Sequence, residues 1–164
     1  MTTHDIYLLS PEISIAGLAM VLVLMDLVVS RKGALTFVAF AGLAAPIALS
    51  IVLWADLNDQ GSAEMSAVFG TLVVDKFSLF FKFLLVGVAA LVVLASAEYV
   101  DRFHRYRGEF FALLLLSTSG MMLLASTVEL ISIYVSLELT ALPIAALAAF
   151  MRDGRSSESG MKFL

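Results

Sequence analysis

Apolar residues along this chain run in long blocks rather than in strict alternation. The blocks fall at Ile6–Ser30, Gly33–Ala55, Phe77–Ala97, Phe110–Val128 and Leu130–Met151. A helix needs roughly 17–25 residues to cross the hydrocarbon of a bilayer, and each block has about that length. Lipid offers the backbone no hydrogen-bond partner, so such blocks must be helical. The pattern predicts an all-α, polytopic transmembrane bundle of five complete helices, one domain over 1–164. The fourth and fifth blocks nearly touch, which predicts a tight hairpin at Ser126–Glu129. A further apolar run opens at Gly160 and reaches Leu164, the start of a sixth helix.

Residues 56–75 read as a loop in two parts. Asp56–Ser62 is polar and contains Gly61, a turn composition. Val68–Val74 is apolar, β-branched and too short to span, so a short strand or hairpin at the membrane surface is expected there. Pro46 inside the second block predicts a local kink, and Pro143 follows Glu138 in the fifth.

Composition strengthens the membrane reading. Hydrophobic residues make up 61% and charged residues 15% of the chain, against about 45–50% and about 25% in soluble domains. The net charge of −4 and the lack of a basic stripe argue against nucleic-acid binding. With no cysteine, the chain has no disulfide, thiolate metal site or thiol nucleophile of its own. His4 and His104 lie apart in polar segments and form no ligand pair. No Gly-rich phosphate loop or Ser-His-Asp set is apparent.

Lys and Arg placement predicts the orientation. Arg31 and Lys32, then Arg102, Arg105 and Arg107, then Arg152 and Arg155 occupy alternate connections. The intervening segments are acidic, with Asp5 in one and Asp56, Asp59, Glu64 and Asp75 in the other. Lys76 is the exception. The N-terminus is therefore expected outside, with the basic loops inside. Met1–Tyr7 carries no Lys or Arg, so it does not read as a secretory signal.

Candidate chemistry lies in ionisable residues at bilayer depth, each costing roughly 2.5–3.5 kcal/mol on insertion scales. Glu138 is the strongest, near the middle of the fifth block with no charged neighbour on its own helix nearby. A carboxyl at that depth is costly to keep charged, which suits a group that gains and loses a proton. At helical spacing it shares a face with Ile131, Tyr134, Leu142 and Ala145. Glu129, Ser136, Thr140 and Pro143 lie opposite, a small-residue face suited to close packing.

The other charges read less sharply. Lys82, in the outer part of the third block, can either snorkel its ammonium outward as an anchor or serve the polar path. Glu12 and Asp26 in the first block read as interface or inter-helix contacts, and Glu129 as a solvated edge residue. Glu158 and Lys162 are spaced i, i+4 in the favourable order, either an interfacial salt bridge or part of the path, with Ser156 and Ser157 as caps. Ser117-Thr118-Ser119-Gly120 is expected to make helix–helix or i−4 backbone bonds.

Several segments together carry a resemblance. They are LLSPEI at 8–13, LVVDKFSLFFK at 72–82, RGEFFALLL at 107–115, GMMLLAS at 120–126, LISIYVSLELTALP at 130–143 and SSESGMKF at 156–163. In that order they resemble the N-terminal portion of subunit N of the proton-translocating NADH:quinone oxidoreductase, respiratory complex I. The resemblance implies an antiporter-like subunit of about fourteen helices, built from inverted repeats with broken helices and buried Lys and Glu residues. It makes Glu138 the fifth-helix glutamate, partnered by a lysine on a seventh helix beyond this chain. It makes Glu158 and Lys162 the pair that opens the sixth helix, and Val68–Val74 the outer hairpin.

It further implies proton-translocation roles for Glu138, Glu158 and Lys162 and other complex I membrane subunits as partners. Tyr134, by its place one turn before Glu138, and Lys82, by its depth, are added to the expected path. The lack of a transit segment favours a bacterial inner membrane over an organelle inner membrane. FMN, Fe–S clusters and quinone are then expected in partner subunits, with no cofactor in this chain. The expected piece is about a third of such a subunit, a fragment or a truncated product. Two alternatives stay open. One is a subunit of a multi-subunit cation/proton antiporter or a membrane hydrogenase. The other is a non-conducting structural or assembly fragment.

Overall fold

The computed structural model describes residues 3–28, 33–59, 64–97, 106–150, 158 and 160–162. Five membrane-length helical spans are present among them. The expectations placed on Arg31, Lys32, Arg102, Arg105, Arg152, Arg155, His104, Ser156 and Ser157 lie outside the described residues.

The first block divides into a short helix α1 (Thr3–Leu8) and the spanning helix α2 (Ser10–Val28). Pro11 sits in the first turn of α2, where its missing N–H costs nothing. The second block is α3 (Gly33–Gly42) followed by α4 (Ala44–Asp59), interrupted at Leu43. The cause is Pro46, which cannot donate to the carbonyl of Gly42. Around the break, Leu43 donates to Phe40 at 3.2 Å and Ile47 to Leu43 at 3.4 Å. The expected kink is thus a helix interruption, and the span runs on to Asp59, past the predicted end at Ala55.

Two strands follow, β1 (Glu64–Ala67) and β2 (Leu72–Asp75), paired antiparallel. Of the strand or hairpin expected at Val68–Val74, the hairpin is what is present, with Val68–Thr71 as its turn and Leu72–Val74 within its second strand. Val68 and Phe69 adopt φ of 50° and 58°, and Gly70 closes the reversal at 81°. Left-handed backbone is costly for a β-branched residue, so tertiary ties must hold it. One such tie is the Val68 N–H, which donates to Asp5 Oδ1 at 2.9 Å.

Helix α5 (Lys76–Ala95) opens on a complete capping box. Ser78 N–H donates to Asp75 Oδ1 at 2.7 Å, and Asp75 N–H donates to Ser78 Oγ at 3.0 Å. Then come α6 (Arg107–Leu124) and α7 (Leu130–Ala148), joined by the predicted tight connection. That connection pairs with the hairpin: Val73 donates to Ser126 O at 2.8 Å and Val128 to Thr71 O at 3.1 Å. Residues 158 and 160–162 are helical.

Helix α2 packs on α4 and α6, and α5 packs on the same two, so the four form a ring with α2 and α5 diagonal to each other. Helix α7 docks outside this ring, against α6. Two apolar clusters fill the ring. One contains Ile15, Leu22, Val86, Val93, Phe111 and Met122. The other, toward the hairpin end, contains Leu8, Leu53, Leu57, Val74 and Leu79. At the hairpin end, the Tyr7 hydroxyl donates to Asp56 Oδ2. Accepting that hydrogen bond, Asp56 pushes the Tyr7 hydroxyl up to about 12, with partial burial and the carboxylate charge adding to the effect.

Candidate functional site

Helix α7 has two unlike faces, as its spacing predicts. Ser136, Pro143 and Ala145 are buried. The Ser117 hydroxyl on α6 donates to the Thr140 carbonyl at 3.1 Å, and Thr140 Oγ1 donates back to Ser136 O at 2.9 Å. Gly120 makes the approach close. A methyl group there would come within 2.7 Å of Thr140 Oγ1, 2.8 Å of Thr140 N and 2.9 Å of Leu139 C.

The other face of α7 turns away from the four-helix ring. Ile131, Tyr134 and Leu142 on it are exposed, and Glu138 is half-buried among them. The Tyr134 hydroxyl lies against the Glu138 carboxylate. Ala145, grouped with this face by helical spacing, is instead covered: a methyl on Gly160 would come within 3.2 Å of the Ala145 carbonyl. The turn carrying Glu158 and Lys162 therefore packs on the far end of α7, two turns beyond Glu138. Glu158 Oε1 and Lys162 Nζ stand 2.6 Å apart and both side chains are well exposed. Exposed pairs of this kind contribute little to stability.

Lys82 does not snorkel. Its side chain is 1% exposed, and Nζ meets Glu12 Oε1 at 2.7 Å with Glu12 3% exposed. The angles of this ion contact fall outside those of a hydrogen bond, and Glu12 Oε2 has no hydrogen-bond partner among the described residues. The pair joins the two diagonal helices through the centre of the ring. Glu12 is thus the inter-helix contact expected of it, with Lys82 as the partner that spacing alone left unnamed. The available signal was one acidic and one basic residue at bilayer depth, which seldom sit there unpaired. No ion pair joins Lys82 to Glu138 among the described residues.

The hydroxyl cluster of α6 divides its work. Ser117 reaches α7, and Ser119 reaches α2, donating to the Glu12 carbonyl at 3.3 Å. Thr118 bonds its own helix at Leu114 O, 2.9 Å. Helix α6 therefore stands between the Glu12–Lys82 pair and the helix bearing Glu138. Asp26 is half-buried near the other end of α2, where a methyl on Gly108 would come within 2.5 Å of its Cβ. Glu129 is exposed at the start of α7, as expected. Among the described residues, no three His, Cys, Asp or Glu side chains gather to hold a metal.

No protein-family model matches the chain. Curated proteins do. A protein named NADH-quinone oxidoreductase subunit N from Dehalococcoides mccartyi is 36% identical over 158 residues, 96% of this chain and 31% of that protein. One of the same name from Moorella thermoacetica is 38% identical over 164 residues, 98% of this chain and 33% of its own length. A protein named F(420)H(2) dehydrogenase subunit N from Methanosarcina mazei is 33% identical, with 98% of this chain and 33% of that protein covered. The chain spans about a third of the length of the curated relatives it matches.

Proposed function

We propose that this chain, homologous along nearly its whole length to proteins named NADH-quinone oxidoreductase subunit N, is the part of a complex I membrane subunit that supplies one carboxylate to a proton path. Its five apolar spans make it a multi-pass membrane protein. Glu138 carries the role. The observation behind this is the division of α7. One face is locked to α6 through Ser117, Gly120 and Thr140, and the other presents Glu138 with Tyr134 away from the ring. A carboxyl and a phenol in contact can pass a proton between oxygens, and the rigid face behind them fixes where they stand.

In this reading Glu138 holds or releases a proton as a cationic partner elsewhere in a longer subunit changes charge. Glu158 and Lys162, on the turn packed against the far end of that helix, extend the polar line. Lys82 contributes through the ring rather than through Glu138. Oxidation of the electron donor and reduction of quinone, with the FMN and Fe–S clusters they use, belong to partner subunits. The hairpin end faces outside, and the membrane is a bacterial plasma membrane.

The test is Glu138→Gln in the full-length subunit, in membrane vesicles holding the assembled complex. Donor oxidation is expected to persist while protons moved per electron fall, and Glu138→Asp is expected to recover part of the loss. Unchanged coupled pumping in Glu138→Gln would remove Glu138 from the path.

A further inference from the structure

The Glu12–Lys82 pair is an expensive feature. Taking a carboxylate and an ammonium out of water costs several kcal/mol per ion, and well-packed apolar residues of similar volume usually do at least as well for stability. The pair also leaves polar atoms unmatched. Glu12 Oε2 is buried with no hydrogen-bond partner among the described residues, and so is Ser50 Oγ on α4. An ammonium carries three donors, of which the Glu12 contact engages one side.

These groups fall where each helix passes from one apolar cluster to the other. Along the first span Glu12 falls between Leu8 of one apolar cluster and Ile15 of the other. On α5 Lys82 falls between Leu79 and Val86, and on α4 Ser50 lies between Ile47 and Leu53. On α6 Ser119 lies between Leu115 and Leu123. All four helices therefore carry a buried polar side chain near the passage from one apolar cluster to the other, which on α6 overlap, Met122 of the first lying beyond Ser119. Buried polar atoms in native proteins find partners in protein or in ordered water, and a water needs two to four of them. Glu12 Oε1 and Oε2, both buried without a hydrogen-bond partner among the described residues, supply two, and the Lys82 ammonium stands 2.7 Å from Oε1.

We propose that these buried polar groups form a water-binding acid–base site, distinct from Glu138, that exchanges a proton at bilayer depth. Water bridges Glu12 Oε2 to the remaining donors. One N–H bond of the Lys82 ammonium breaks as an O–H bond forms on Glu12, directly or through the bridging water. An amine and a carboxylic acid result, and the reverse step restores the ions. Net charge is zero in both forms, so the site switches its dipole without placing a bare charge in the membrane. Among the described residues, the buried charged side chains are Glu12, Lys82 and Arg107. Arg107 opens α6, twelve residues and roughly 18 Å of helix from Ser119, away from the pair.

The site goes beyond the reading of Glu138, and its test separates the two. A map of the wild-type assembled complex, at a resolution that shows ordered water, is expected to place water against Glu12 Oε2. Protein packed there without water overturns the proposal, whatever any variant does. In vesicles, the double variant Glu12→Gln with Lys82→Met removes both ions together. Donor oxidation is expected to continue with fewer protons moved per electron and with loss of the Glu12 carboxyl signal from the redox-induced infrared difference spectrum. An assembled double variant with unchanged proton yield and an unchanged spectrum also overturns the proposal and leaves the pair structural. Should the double variant fail to assemble, Glu12→Lys with Lys82→Glu keeps both ions. Its infrared carboxyl signal is then expected to persist, and loss of any redox-dependent signal counts against proton exchange. Glu138→Gln is run in parallel, so failure of either site is seen independently of the other.

Discussion

Gly120 is where the packing of α7 can be tested with a single methyl group. In Gly120→Ala the new carbon would lie 2.8 Å from Thr140 N and 2.9 Å from Leu139 C, both backbone atoms that cannot swing aside. Ordinary contact needs about 3.5 Å, so α7 must back away from α6 by roughly half an ångström or more. Overpacking of this kind costs about 1–3 kcal/mol, against about 0.5–1 kcal/mol gained from the better helix former. The net is a loss of up to about 2.5 kcal/mol. Gly17 on α2 supplies the control, since a methyl there meets nothing within 4 Å. Gly17→Ala should be neutral or stabilising by up to about 1 kcal/mol. The assay is the midpoint of thermal inactivation of the assembled complex, followed by protons moved per electron in vesicles. Because Leu139 and Thr140 directly follow Glu138, Gly120→Ala should lower both readouts while Gly17→Ala lowers neither. If the two variants behave alike, α7 is not held in the tight contact described, and the link between that contact and Glu138 fails.

Single and double replacement of the ring pair should differ in stability. Lys82→Met alone leaves Glu12 charged and unpaired, a loss of about 3–5 kcal/mol, and should reduce assembled complex sharply. Adding Glu12→Gln should recover most of it, as a double-mutant cycle on assembly yield would show. At the start of α5, Asp75→Ala removes the acceptor of the capping box and should cost about 0.5–2 kcal/mol, read as a lower inactivation midpoint. Tyr7 carries a pH signature. Its hydroxyl is raised to about 12 from an ordinary 10.0, so its contribution is complete below pH 10 and is lost as pH climbs toward 12. A tyrosinate absorbance step near pH 12 should vanish in Tyr7→Phe.

Much of the architecture was legible because lipid leaves the chain few options. Block length alone gave the five spans, and the two faces of α7 followed from helical spacing. Features that depend on contacts between distant segments were not legible. Val68-Phe69-Gly70-Thr71 has the composition of a strand, yet it turns because Leu72 bridges to Thr127 and the Val68 N–H finds Asp5. The alternation of Glu64, Met65, Ser66 and Ala67 marked the true strand, but four residues are too few to stand out. Glu12 and Lys82 were each visible as charges in apolar blocks. Their partnership was not, because it depends on which helices lie diagonal in the ring. The half-buried state of Glu138 was also beyond reach, since spacing shows what shares a face but not which face meets a neighbour.

The short ladder joining β2 to the α6–α7 connection has a mechanical meaning. Hydrogen bonds from Val73 to Ser126 and from Val128 to Thr71 fasten the α4–α5 crossing to the α6–α7 crossing. Four helix ends are thereby stitched into one plate at a single end of the bundle. Helix α7 is then held at two heights, by the ladder at its start and by Ser117 and Gly120 against Thr140, about 15 Å of helix from Leu130. Glu138 stands between these two fastenings, so any tilt of α7 that moves its backbone there must break one of them.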